Sequence, residues 1–221
     1  MDWLVWGGPG TKLERRPWPE WPEEAAQRLY RRLLRDGYSM TGIWGYMDGP
    51  ILWWVCRFEH PTKRKEIRPL MREGREYKPG KPEFVNGAPL LNLNLLRWQP
   101  EETVWVVEGE KAADCMEFVC GRLATTWPGG ANAILKADWR ALAGRRAILW
   151  PDNDQAGLEA MASILPVLRA QGTQFVQVDV ETLGLQRHGD VVDWVQAVCG
   201  GQETDWETRL ELALRKLPLL V

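Results

Sequence analysis

The chain has 221 residues, 45% of them apolar and 26% charged, and a formal charge of −2. This is the make-up of a folded globular chain, one large domain or one domain with a smaller companion, and it excludes wholesale disorder and a fibrous repeat. The longest apolar runs, such as 51–56 and 217–221, are far too short to cross a bilayer.

In chain order, residues 1–21 are rich in Gly, Pro and Trp and read as an irregular lead-in, without the basic segment and apolar core of a secretory signal. A cytoplasmic protein with no membrane partner is therefore expected. Pro22 opens a helix in which Ala25-Ala26, Leu29-Tyr30 and Leu33-Leu34 recur every four residues, and Gly37 ends it. A strand from Ile43 to Met47, an Asp48-Gly49 turn and a second strand from Ile51 to Phe58 make a hairpin. A basic stretch punctuated by prolines then runs to Pro89, followed by a short apolar segment, Leu90 to Leu96.

From Pro100 the pattern changes. Strands are expected at 103–107, 123–126, 146–150 and 175–180, and helices at 109–120, 131–143, 155–170, 190–198 and 205–217, with a tight Trp127-Pro128-Gly129-Gly130 loop. Strands alternating with helices predict an α/β fold with a parallel sheet covered by helices on both faces. The expected organisation is a smaller α+β region over 1–99, an α/β domain over 100–200 and a C-terminal helix over 201–221.

Charge is unevenly spread. Residues 57–81 hold nine Lys and Arg against four Glu, a local +5 that leaves −7 for the rest. Such a band is a candidate polyanion surface, with Arg57, Lys63, Arg64, Lys65 and Arg68 its first cations; the alternative is a solvated mixed-charge loop. The fourteen tryptophans decide nothing alone, since rings stack on bases but more often pack in cores. Cys56, Cys115, Cys120 and Cys199 form no C-x-x-C pair, and there are only two histidines and two serines. A zinc site, a disulfide framework and a Ser-His or Cys-His hydrolase are thereby disfavoured, so any catalysis should rest on carboxylates.

Two carboxylate clusters fall where an open α/β sheet binds its ligands, at the carboxyl ends of strands. Glu108 follows Val104-Trp105-Val106-Val107, and Gly109 lets the chain turn sharply. Asp152 and Asp154 follow Ile148-Leu149-Trp150; two residues apart in extended chain, they are expected to converge while Asn153 turns away. Paired carboxylates repel, and Mg²⁺, which takes one or two of them and leaves water or phosphate on the rest of its shell, relieves this. Taken singly, each reads more readily as structural, Asp152 and Asp154 as helix N-caps and Glu108 as a carboxylate favoured by the N-terminus of its following helix. Their joint placement favours a site.

The segments Val106-Val107-Glu108-Gly109-Glu110-Lys111-Ala112-Ala113-Asp114, Thr125-Thr126-Trp127-Pro128-Gly129-Gly130 and Trp150-Pro151-Asp152-Asn153-Asp154-Gln155-Ala156-Gly157 resemble the Toprim domain of phage and plasmid primases and primase-helicases. The resemblance covers roughly residues 100–200 and implies a Toprim-like Rossmannoid sheet. It implies that Glu108 is a general acid/base in nucleotidyl transfer and that Asp152 and Asp154 hold Mg²⁺, or Mn²⁺ in its place. Glu108 adds to the metal set, and a later family acid corresponds to Asp190 or Asp193. Lys111 reaches phosphate or is a solvated helix-face lysine; Gly129 and Gly130 let backbone approach nucleic acid or only make a turn. The expected protein is a primase that makes short RNA primers on single-stranded DNA from ribonucleoside triphosphates. No G-x-x-x-x-G-K-[ST] occurs, so a replicative helicase would be a partner. A Toprim nuclease and a non-catalytic nucleic-acid-binding subunit are the alternatives.

Overall fold

The computed structural model describes residues 20–48, 51–200 and 205–220. They fall into two compact units. The first holds the described residues up to Ile43 together with Trp53–Lys81; the second holds the described residues of 44–52 and the chain from Pro82 onward.

In the first unit, helix α1 (Pro22–Leu29) starts from a capping box in which the Trp21 N–H donates to Glu24, and proline occupies the first helical position. The single helix expected up to Gly37 is broken at Tyr30, and α2 (Arg31–Arg35) follows. The Tyr30 hydroxyl at this break donates to the Pro69 carbonyl. Strands β1 (Ser39–Asp48), β2 (Ile51–Glu59), β3 (Glu66–Glu73) and β4 (Glu76–Pro79) form a sheet in that order, with β2–β3 and β3–β4 antiparallel. Gly49 of the expected hairpin turn lies outside the described residues, as does the lead-in over 1–19.

The basic stretch is therefore largely β3 and β4. Pro69 reads as a strand breaker, but its missing N–H costs the ladder one bond, and its carbonyl accepts the Gly80 N–H at 3.0 Å. Charged residues on the exposed side obscure the signal that buried Leu70 and Tyr77 carry.

The second unit is built on β5 (Val104–Val107), β6 (Ala124–Thr125), β7 (Arg146–Trp150), β8 (Gln174–Val178) and β9 (Leu219–Leu220), in the order β6-β5-β7-β8-β9. The first four are parallel, while β9 pairs antiparallel with β8. This is a mixed α/β fold, with α3 (Leu93–Trp98) preceding β5. Val104, Val106, Ala147 and Leu149 pack with Ala160, Met161, Ile164 and Leu168 of α5 (Gln155–Ala170) into one core. The spacing of these α5 residues places them on one helix face. Eight tryptophans are buried among the described residues, which is the packing role rather than the stacking one.

Three expectations need correction. Residues 131–143 form two 3₁₀ turns, Ala131–Lys136 and Trp139–Leu142, instead of one α-helix. Between them Ala137 is extended and bridges Ala88, with the Ala88 N–H on Lys136 O and the Asp138 N–H on Ala88 O. Gly87 permits this approach, since a Cβ there would lie 2.9 Å from the backbone of 136 and 137. The strand expected to reach Val180 ends at Val178, and a 3₁₀ turn covers Val180–Thr182. The C-terminal helix, α7 (Trp206–Arg215), stops early enough for the chain to add β9.

Candidate active site

The order of the sheet marks a candidate position for a ligand. From β5 the chain goes to one neighbour, β6, and then returns past β5 to β7 on its other side. The direction of winding thus reverses between β5 and β7, which is where open α/β sheets leave a crevice outside the carboxyl ends of their strands. Val107 and Trp150 are register partners at that end, so Glu108 and the Pro151–Asp154 segment leave from adjacent strands.

Glu108 enters a sharp turn at Gly109, whose φ of 90° suits glycine. The Gly109 N–H donates to the buried Thr126 hydroxyl at 2.9 Å, tying the turn to the residue after β6. Helix α4 (Glu110–Asp114) follows and runs directly into a π turn, Cys115–Val119. Trp44 and Tyr46, which belong to the second unit although they lie in β1, hold α4. The fully buried Tyr46 hydroxyl donates to Glu110 Oε1 at 2.8 Å, and Trp44 Nε1–H donates to Asp114 Oδ2 at 2.7 Å. Burial, reinforced by the Glu110 carboxylate, pushes the Tyr46 phenol well above its ordinary value. Burial also raises the Asp114 carboxyl, and the Trp44 hydrogen bond opposes that rise. Lys111 is exposed on α4.

After β7, Asp154 caps α5 by accepting the Gly157 N–H at 2.8 Å, and its other oxygen meets His188 Nδ1 at 2.5 Å. The Gly157 amide, then His188, hold its carboxyl below the ordinary aspartate range. Asn153 turns instead to the loop before α6 (Val191–Cys199). Its N–H donates to Gly189 O, its carbonyl accepts the His188 N–H, and its side-chain amide donates to Leu185 O and Gln186 O. This loop encloses a pocket of about 310 Å³ whose lining includes Arg187, His188 and Asp193. Asp190 and Asp193 form the capping box of α6, in which Asp193 Oδ2 accepts the Asp190 N–H at 3.0 Å.

Glu108, Asp152, Asp154, Asp193, Lys111, Gly129 and Gly130 all belong to the second unit, whereas Arg57, Lys63, Arg64, Lys65 and Arg68 belong to the first. Gly129 and Gly130 have φ of 96° and 70° in a turn closed by Trp127 Nε1–H on Gly130 O. In the basic band, Arg57, Arg68 and Lys78 are paired with Glu59, Glu66 and Glu73. Sequence reasoning missed His188, Thr126, Tyr46 and Trp44 as participants. Thr126 stood inside a quoted motif, but the other three bond across long sequence separations that no local pattern announces.

Among the described residues no three carboxylate, imidazole or thiol groups cluster closely enough to enclose a metal ion by themselves. The donors at the strand ends are nonetheless hard carboxylate oxygens, and Mg²⁺ binds through one or two of these while keeping water or phosphate on its remaining positions. The carboxylates of Glu108, Asp152 and Asp154 are of the kind that mode uses, although Gly157 and His188 already engage both oxygens of Asp154.

No family model and no curated protein matches the chain. Among solved structures it is similar to the zinc-binding and RNA polymerase domains of Aquifex aeolicus primase, at 17% identity over 75% of this chain and 37% of that one, with a TM-score of 0.48. It is also similar to a DnaG catalytic core (20% identity, 71% and 52% covered, TM-score 0.38) and to a DnaG primase catalytic domain bound to single-stranded DNA (21%, 72% and 52%, 0.37). The chain spans between about a third and a half of the length of these structures. Likeness of this degree carries no functional conclusion. Among the described residues no helix is long and apolar enough to cross a membrane.

Proposed function

We propose that the protein is a Toprim-type primase of the phage and plasmid kind, joining ribonucleotides into short primers on single-stranded DNA. The observation that carries this reading is the departure of Glu108 and Asp152 from neighbouring parallel strands at the point where the sheet reverses its winding. The three Toprim-like motifs support it.

In the reaction a primer 3′-hydroxyl attacks the α-phosphate of a nucleoside triphosphate and pyrophosphate leaves. Glu108, held beside the turn at Gly109, takes the hydroxyl proton as general base. Asp152 and Asp154, with Glu108, would hold Mg²⁺, and the ion would supply charge shielding for the phosphate. Arg187 and His188, at the pocket beside Asp154, offer donors to the triphosphate. Arg64 and Lys65 of the basic band steer template phosphates.

The test is to incubate the chain with single-stranded DNA, labelled ribonucleotides and magnesium, beside Glu108→Gln and Asp152→Asn. Primers made by the parent and lost in both variants, with unchanged circular dichroism, are the expected result. Synthesis retained by both variants would overturn the reading. Metal-dependent cleavage of the DNA without nucleotides would replace it with a nuclease.

A further inference from the structure

The π turn that ends α4 has a chemical consequence independent of the proposed primase activity. Cys115 opens this turn and Cys120 closes it, with the Cys120 N–H donating to Cys115 O at 3.1 Å, five residues back. In a regular α-helix, residues five apart are about 8.6 Å apart at Cα and sit on different faces. A disulfide cannot bridge more than about 7 Å between Cα atoms. The π turn, with one residue more per turn, brings the two positions onto one face, as the Cys120 N–H to Cys115 O bond shows. Both side chains are buried, yet the turn is at the surface: Phe118 and Val119 are 77% and 41% exposed, and Cys115 keeps 9%.

The two thiols are also chemically unequal. The neighbouring Cys120 thiol holds the Cys115 thiol below its ordinary value against the opposing effect of burial. The Cys115 thiol, then burial, pushes Cys120 upward. One sulfur is prepared as nucleophile and the other keeps its proton until a partner sulfur is in place.

We infer that Cys115 and Cys120 form a dithiol–disulfide exchange site that takes a low-molecular-weight disulfide as its oxidant. The Cys115 thiolate attacks one sulfur of the small disulfide, breaking its S–S bond and releasing one thiolate. Cys120 then gives up its proton and attacks the Cys115 sulfur of the mixed disulfide, releasing the second thiolate. Two protein thiols and one small disulfide become one protein disulfide and two small thiols. The protein loses two electrons and the small disulfide gains them. Because α-helical spacing is too long for the bridge, oxidation fixes the π form of the turn, and reduction leaves it free to rewind.

The experiment treats the folded full-length chain with glutathione disulfide, alkylates the remaining thiols and maps the tryptic peptide 112–122, which holds both cysteines. The expected product is this peptide unalkylated and lighter by two hydrogen atoms. Cys120→Ser should instead retain glutathione on Cys115, and Cys199→Ser should bridge like the parent. Doubly alkylated peptide from the parent, or a bridge from either cysteine to Cys199, would overturn the assignment. Circular dichroism of the treated parent checks that the exchange occurred in the folded protein.

Discussion

At the scale of single residues, the contacts that matter most lie one step behind the candidate site. The fully buried Tyr46 hydroxyl meets the half-buried carboxylate of Glu110, one helical position past Gly109. Tyr46→Phe keeps the ring and removes only the donor, so a loss of about 1–3 kcal/mol is expected from denaturant unfolding. Asp138 offers a test by pH. Its carboxylate receives Nε–H and an Nη2–H of Arg140 at 2.8 and 2.6 Å and also accepts the Arg140 backbone N–H, and these bonds hold its pKa below the ordinary value. A lowered folded-state pKa means that the ionised form favours the fold. This contribution is complete above the ordinary aspartate value of about 3.9 and disappears as pH falls through the lower folded-state value. The stability gap between the parent and Asp138→Asn should therefore be largest near neutral pH and close in acid. A gap that is constant with pH would mean that the charge has no part in it.

At the scale of elements, α5 is held so close to the strand end before it that only glycine fits. A Cβ on Gly157 would stand 2.7 Å from Asp152 O and 2.9 Å from Asp152 N. Alanine in a helix is ordinarily better than glycine by about 1 kcal/mol. Here Gly157→Ala should destabilise the chain instead, because either α5 or the Asp152 segment must move. Thermal unfolding reads the sign. The legibility of the sequence follows the same physics. Strand β7 and helix α5 were readable to the residue because unbroken periodicity and a clear N-cap agree there. Glu108 and Asp152 could be found because each directly follows a buried run. By contrast, β3 and β4 were hidden by Pro69 and by exposed charges. The turns over 131–142 defeated a helical pattern because a partner strand segment at Ala88, forty-odd positions earlier, competes for the backbone of 136–138. The Asp154–His188 contact depends on a loop whose path the sequence does not announce, with His188 itself at φ 66°.

At the scale of the molecule, the two units divide the chemistry: acids at the strand ends of one, and an excess of cations on the sheet of the other. Pairing reduces that excess. Arg64 and Lys65, exposed before β3, form no ion pair among the described residues, whereas Arg57, Arg68 and Lys78 do. Affinity for single-stranded DNA should therefore fall steeply with salt, with a slope of roughly −0.7 per phosphate neutralised. Replacing both Arg64 and Lys65 by alanine should make that slope shallower by about one to two phosphate contacts. Titration of fluorescent oligonucleotide at several salt concentrations measures it, and an unchanged slope would remove these two residues from the interface. The parallel sheet has its own exposure to manage. Its two margins, β6 and β9, are only two residues long, and β9 lies against the five-residue β8 with the Asp179 N–H on Pro218 O. A chain ending at Leu217 would leave the β8 edge at Gln177 and Val178 unpaired, a place on which another chain's extended segment could add. Pairing with β9 thus shortens the stretch of β8 that is open to such addition.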